Sequence, residues 1–245
     1  MHWVHGYLLQ IHIGIGAMAL LAFWLPVASR KGSRFHRNAG WVFVITMSVV
    51  AATAITMSLM VLADPVGIRA PERNFDMARG LQVAREQRMF SLFLLMLGVL
   101  TATGLRHGLL ALRTRTNPAA LRSPLHLSQL VILGVLGIGV GIVGINSSSM
   151  LLMVFAAISM SASFNALRET RIARMTRNQR LRAHFGGLIG TGVGAYTAFF
   201  AFGGSRLLSD ILSGQWQVIP WILPAVIGTI AIKRVERQYP EEAPA

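Results

Sequence analysis

The sequence predicts an all-α fold: a polytopic transmembrane bundle of about seven helices, N-terminus outside and C-terminus cytoplasmic. Three observations predict it. Of 245 residues, 53% are hydrophobic and 13% charged, against about a quarter charged in soluble domains. Uncharged windows near the length that crosses the hydrocarbon core recur along the chain. The basic residues, finally, gather in alternate connecting segments. Lipid-exposed backbone must satisfy its own hydrogen bonds, so spans of this composition are helical.

Taken in order, the first span is read at 7–28, inside "MHWVHGYLLQIHIGIGAMALLAFW", which lacks the basic leader and small-residue cleavage site of a signal peptide. The second, at 41–63, follows "RFHRNAGW". An outer loop at 64–88 carries a short helix around "MARGLQVAREQR", and the third span follows at 89–112. The uncharged run 123–167 is too long for one crossing. The "NSSS" at 146–149 divides it into spans at 127–145 and 150–167. The sixth span, 185–203, holds "GGLIGTGVGAY"; the last, 218–232, is shortened or kinked by Pro220 and Pro224. A single bundle over 1–237 and a short disordered cytoplasmic tail over 238–245 complete the organisation.

With this arrangement seventeen of the 23 Lys and Arg residues fall on the inner side, leaving six outside. That asymmetry sets the orientation and places the chain in a bacterial plasma (inner) membrane. The net charge of +14 belongs to these loops and to contact with membrane lipids, not to nucleic acid, because no basic soluble domain is present. Arg34, Arg37, Arg171, Arg174 and Arg177 are candidates for lipid-headgroup contact or for a purely topological role. With no cysteine, disulfides, thiolate metal sites and cysteine nucleophiles are excluded.

No carboxylate lies inside a span, so the histidines are the main candidates for chemistry. His36, His126 and His184 each stand at the cytoplasmic start of an in-to-out span, and His107 at the cytoplasmic end of the third. A helix N-terminus disfavours a cation, and neutral imidazole is the metal-binding form. Convergence of three would make an open zinc-type site; two of the four could instead ligate a single haem. The alternative is that each is hydrogen-bonded to a neighbour. His2 and His5 read as interfacial. His12 is a polar outlier within the first span, its partner expected among Gln10, Ser91, Asn146 and Tyr196.

Small-xxx-small faces at Gly186, Gly190 and Gly194, and at Gly137 and Gly141, predict close helix packing, within the bundle or between copies as a homo-oligomer. Ser159, Ser161, Ser163 and Asn165 give the fifth span a polar side that either lines a cavity or bonds between helices.

At "HIGIGAMALLAFW", "KGSRFHRNAGWVFVITM" and "HFGGLIGTGVGAYTAFF" the chain resembles a bacterial family of multi-pass membrane proteins, domain of unknown function 2306. The resemblance extends over about 11–239. It singles out His12, His36, Arg37, Gly40, His184, Thr197, Ala198 and Phe199, implies the membrane topology, and implies no reaction. His107 and His126 lie outside its pattern.

Three functions fit these observations. One is a histidine-based metal- or haem-binding membrane protein acting near the cytoplasmic face. Another is a small-solute or ion transporter lined by the fifth and sixth spans. The third is a non-catalytic membrane scaffold subunit. No catalytic residue follows from any motif, and whether the chain is an enzyme stays open.

Overall fold

A computed structural model describes residues 1–71, 73, 75–203 and 219–240. The elements are α1 (His2–Ala28), α2 (Arg34–Ala63), α3 (Pro65–Arg69), α4 (Met77–Arg113), a 3-10 turn (Ala120–Arg122), α5 (Pro124–Asn146), α6 (Met150–Thr170), α7 (Arg177–Ala198) with a π-helical turn (Phe199–Gly203), and α8 (Ile219–Gln238). Among the described residues there is no strand. The described residues of all seven expected spans are helical, and among them five helices (α1, α2, α4, α5 and α6) are long and apolar enough to cross a membrane. Residue 218 of the expected last span, Arg206 and Asp210 of the preceding segment, and 241–245 of the tail lie outside the described residues.

The expected outer-loop helix and third span are one element. α4 runs unbroken for 37 residues, about 55 Å at 1.5 Å per residue. Nothing interrupts it, since no proline falls between Met77 and Arg113. Its charged first turns hold themselves together by bonds one turn apart, Arg79 to Gln82 (3.0 Å) and Gln82 to Glu86 (2.9 Å). The "NSSS" turn acts as read, Ser148 taking φ 51° between α5 and α6, and Gly32 takes φ +78° between α1 and α2.

The chain divides into two compact units. The first comprises Met1–Ala102 and Ser128–Leu167. Its core sets Phe93 and Met96 of α4 against Val140 of α5 and Leu152 and Ala156 of α6, with Phe93 and Phe155 edge to face at 5.4 Å. Along α5, Val131, Val135, Ile138, Ile142 and Ile145 lie exposed on successive turns. Water would not tolerate such a stripe, whereas lipid does. Ser159 and Ser163 turn inward and donate to the carbonyls of Leu133 (3.2 Å) and Leu130 (2.8 Å). Ser161 and Asn165 lie on the exposed side. The polar side expected of the fifth span is thus split, because two-residue steps on a helix rotate by about 200°.

The second unit comprises Thr103–Leu127 and Arg168–Ala245. Leu110, Ala111, Ala120, Leu121, Met175 and Ala183 form its core. Thr176 caps α7 in a reciprocal capping box with Gln179. α4 and α7 meet at glycines: a Cβ on Gly187 would lie 2.6 Å from the Gly104 carbonyl and 3.2 Å from the Gly108 Cα. Within the chain, α4 meets Gly187 and not the expected stripe. Gly186, Gly190 and Gly194 have nothing within 4 Å of where a Cβ would stand, among the described residues, whereas Gly137 and Gly141 pack on Met160 and Ala156. The residue after Gly186 points about 100° further round the helix, and that rotation selects Gly187.

Candidate functional site

Three side chains of the second unit form a line of hydrogen bonds. The last turns of α4 carry His107, the first turn of α5 carries His126, and the last turn of α6 carries Glu169. His107 Nε2 stands 2.7 Å from Glu169 Oε2. His107 Nδ1 stands 3.1 Å from His126 Nε2, with ring centroids 5.3 Å apart. His126 is 0% exposed and His107 7%. Glu169 is the half-exposed end of the line.

Local sequence accounts for each placement. Pro124 occupies the first position of α5, where its missing N–H costs nothing. The Ser123 carbonyl accepts from the amides of His126 (2.9 Å) and Leu127 (3.0 Å), seating His126 in the opening turn. Gly104 and Gly108 let α7 approach α4 on either side of His107 in sequence, where the Gly108 carbonyl accepts from His184 Nδ1 (3.1 Å). On α6, Glu169 is one residue beyond Arg168 and is the sole carboxylate between Glu86 and Asp210.

The bonds constrain the protons. A carboxylate only accepts, so His107 Nε2 carries hydrogen. In the neutral form of His107, Nδ1 is then an acceptor and His126 Nε2–H donates to it. His126 Nδ1 is a bare lone pair in that state. One additional proton reverses the bond: His107 Nδ1–H donates to His126 Nε2, and Nδ1 of His126 becomes an N–H donor. His126 Nδ1 is buried and has no hydrogen-bond partner among the described residues. The line therefore ends on the half-exposed carboxylate of Glu169 and, at its open end, on the unpartnered Nδ1 of His126.

The other candidates are placed separately. His36 Nδ1 lies 3.1 Å from the Pro26 carbonyl and 3.2 Å from Ser29 Oγ, inside the α1–α2 hairpin of the first unit. His12 finds its partner in Thr53, Nδ1 to Oγ1 at 2.9 Å, and not in Gln10, Ser91, Asn146 or Tyr196. Thr53 Oγ1 donates to the carbonyls of Val49 and Val50, which leaves its oxygen to accept from His12. Threonine was missed because it is a routine helix residue, and back-bonding of this kind is invisible in spacing. Tyr196 is half-buried beside Phe200. His5 is buried with Nε2 unpartnered, and His2 stacks on Trp3 at 4.8 Å. Arg34, Arg37, Arg171, Arg174 and Arg177 are all exposed.

Glu169 is the residue that sequence reasoning missed, two positions before Arg171, the first of the headgroup candidates Arg171, Arg174 and Arg177. The available signal was its isolation, one acid inside a run of arginines just beyond a span. Among the described residues no group of three His, Asp or Glu side chains is arranged to hold a metal ion. His107, His126 and Glu169 stand in line rather than converging, and both nitrogens of His107 are engaged. No protein-family model, no curated protein and no solved structure matches the chain.

Proposed function

We propose that this chain is a proton-coupled transporter of a small solute or ion, with Glu169, His107 and His126 as its proton-carrying centre near the cytoplasmic face of a bacterial plasma membrane. The observation that carries the reading is the buried line Glu169–His107–His126, joined at 2.7 and 3.1 Å and unpartnered at its inner end. Ionisable groups are costly at membrane depth and, where they persist in pairs, serve proton or ion pathways. A carboxylate–imidazole–imidazole chain moves a proton by exchanging donor and acceptor roles, without displacing a heavy atom.

The topology that goes with this reading has seven crossings, N-terminus outside and C-terminus inside, so that α7 and α8 cross as well. The inner-side excess of Lys and Arg supports it. Membership of the domain of unknown function 2306 family rests on the motifs around His12, His36 and His184 and forms part of the same proposal.

The test is proton movement in proteoliposomes carrying a pH-sensitive dye under an imposed potassium potential. Inorganic anions, organic anions, cations and neutral solutes are supplied in turn. At least one class should elicit proton movement that His107→Asn abolishes at equal incorporation. Movement unchanged by His107→Asn and Glu169→Gln, or absent with every class, overturns the reading. One observation favours a second reading, a metal or haem ligated near the cytoplasmic face: the unpartnered Nδ1 of His126. It requires further donors, and the Nδ1 atoms of His36 and His184 already face backbone carbonyls. Metal per chain, measured by elemental mass spectrometry without chelator, separates the two.

A further inference from the structure

The open end of the proton line has neighbours of one character. Arg106 precedes His107 on α4, is half-buried, and its Nε is buried without a partner among the described residues. It makes no ion pair among the described residues. Ser123, one turn before His126, has a buried Oγ that is likewise unpartnered. Among the described residues, three buried polar atoms lack partners in this part of the second unit: Arg106 Nε, on the residue before His107, and Ser123 Oγ and His126 Nδ1 at the start of α5, which the 3.1 Å His107–His126 contact joins to α4. Each can donate a hydrogen bond once His126 Nδ1 carries its proton. The opening turn of α5 adds the positive end of a helix dipole, its His126 and Leu127 amides being already bonded to the Ser123 carbonyl.

We infer that Arg106, Ser123 and His126 form a binding site for a small oxyanion, a carboxylate, phosphate or sulfate group, which closes only when a proton has entered the His126–His107–Glu169 line. This deepens the transporter reading and rests on it: the anion is the substrate class, taken together with a proton.

The coupling follows from the bond order. In the unprotonated line His126 presents a lone pair at Nδ1, which repels an oxyanion. A proton arriving at Nδ1 binds there, and the proton already on Nε2 passes to His107 Nδ1. His107 becomes an imidazolium paired with the Glu169 carboxylate, and His126 stays neutral with its remaining hydrogen on Nδ1. One proton is gained, none is lost, and the acceptor at the site becomes a donor. The oxyanion then meets Nδ1–H, the Arg106 guanidinium and the Ser123 hydroxyl. The charged or titratable groups around the pair are Arg106 on α4, Glu169 on α6, and His184 on α7, which reaches the Gly108 carbonyl. Arg122 is turned onto the carbonyls of Ile172 and Ala173.

The experiment is calorimetric titration of the full chain in lipid nanodiscs with sulfate. Sulfate does not itself titrate near neutral pH, so any proton taken up belongs to the protein. In two buffers of different ionisation enthalpy, below and above the ordinary histidine range of about 6.5, sulfate should bind at the lower pH with uptake of about one proton per anion. Affinity should fall at least tenfold at the higher pH. Arg106→Gln should weaken binding at least tenfold at low pH. Glu169→Gln should move the pH profile to lower pH while sulfate still binds in acid, a shift that a merely structural role would not produce. Sulfate binding without proton uptake, or unchanged in Arg106→Gln, overturns the inference.

Two sources could supply the oxyanion. If it is a lipid phosphate, sulfate binds in phosphatidylcholine nanodiscs and is displaced in phosphatidylglycerol ones, and native mass spectrometry shows a retained phosphatidylglycerol that Arg106→Gln loses. If it is a soluble anion, the two nanodiscs behave alike. No sulfate binding and no retained lipid overturns the site. Proton movement in proteoliposomes that persists in that case leaves the transporter reading standing, so the two failures are distinguishable.

Discussion

Two histidines illustrate how differently the two units treat a polar side chain. In the first unit, His12 meets Thr53 at 2.9 Å, and the threonine hydroxyl is itself closed onto its own helix through Val49 and Val50. The bond ties α1 to α2 and goes no further. In the second unit, His107 is bonded at both nitrogens, and one of its partners, His126, has a nitrogen still unpartnered in the interior. A terminated bond is a staple. An unterminated line of ionisable groups can change state, because a proton added at one end alters which atom donates at the other.

Several substitutions test this contrast. The largest effect is expected from Gly187→Val, which forces side-chain atoms into the Gly104 carbonyl and the Gly108 backbone beside His107. Overpacking of this kind costs about 3 kcal/mol and should appear as a large fall in the detergent melting temperature. Gly190→Val, with nothing within 4 Å of its Cβ position among the described residues, should leave the melting temperature almost unchanged. Equal losses would show that the two glycines are equivalent and that the close approach is wrongly placed.

His107→Ala comes next. It strips partners from a buried imidazole and a half-exposed carboxylate, a loss of about 2 kcal/mol. Chemical denaturation at pH 8 should register it, and the proton-linked response of the chain should vanish with it. His12→Phe removes a single interhelical bond and should cost about 0.6 kcal/mol while leaving proton movement intact. If it abolishes proton movement instead, the distinction between staple and relay fails. The smallest effects belong to α6. Ser163→Ala loses an interhelical bond of similar size, and Ser161→Ala on the exposed side should stay within about 0.5 kcal/mol of the parent. A reversal of those two, measured by the same melts, would mean that α6 is rotated about its axis.

Much of the architecture was legible because it is local. Runs of apolar residues at crossing length and the "NSSS" turn each act over a few residues. The one local feature read wrongly was α4, where polar residues were taken for a break although its side chains bond one turn apart. The site was legible in part. His107 and His126 were singled out by type and depth, but grouped with His36 and His184 as donors for a metal or haem. Glu169 was hidden among arginines.

By itself, then, the sequence determined that this chain is helical, which segments have membrane composition, and which rare polar residues deserve notice. Hydrophobic windows, caps and turns are sums over neighbours in the chain, and they need no knowledge of packing. Only the tertiary structure decided which face of each helix is used. It selected Gly187 over Gly186 and Gly190, Thr53 over Tyr196, and Glu169 as the partner of a histidine 62 positions away. The reason is rotational: each residue turns the helix by about 100°. Which side chains face one another therefore depends on the register of whole helices, set by packing along their entire length and not by any short stretch of sequence.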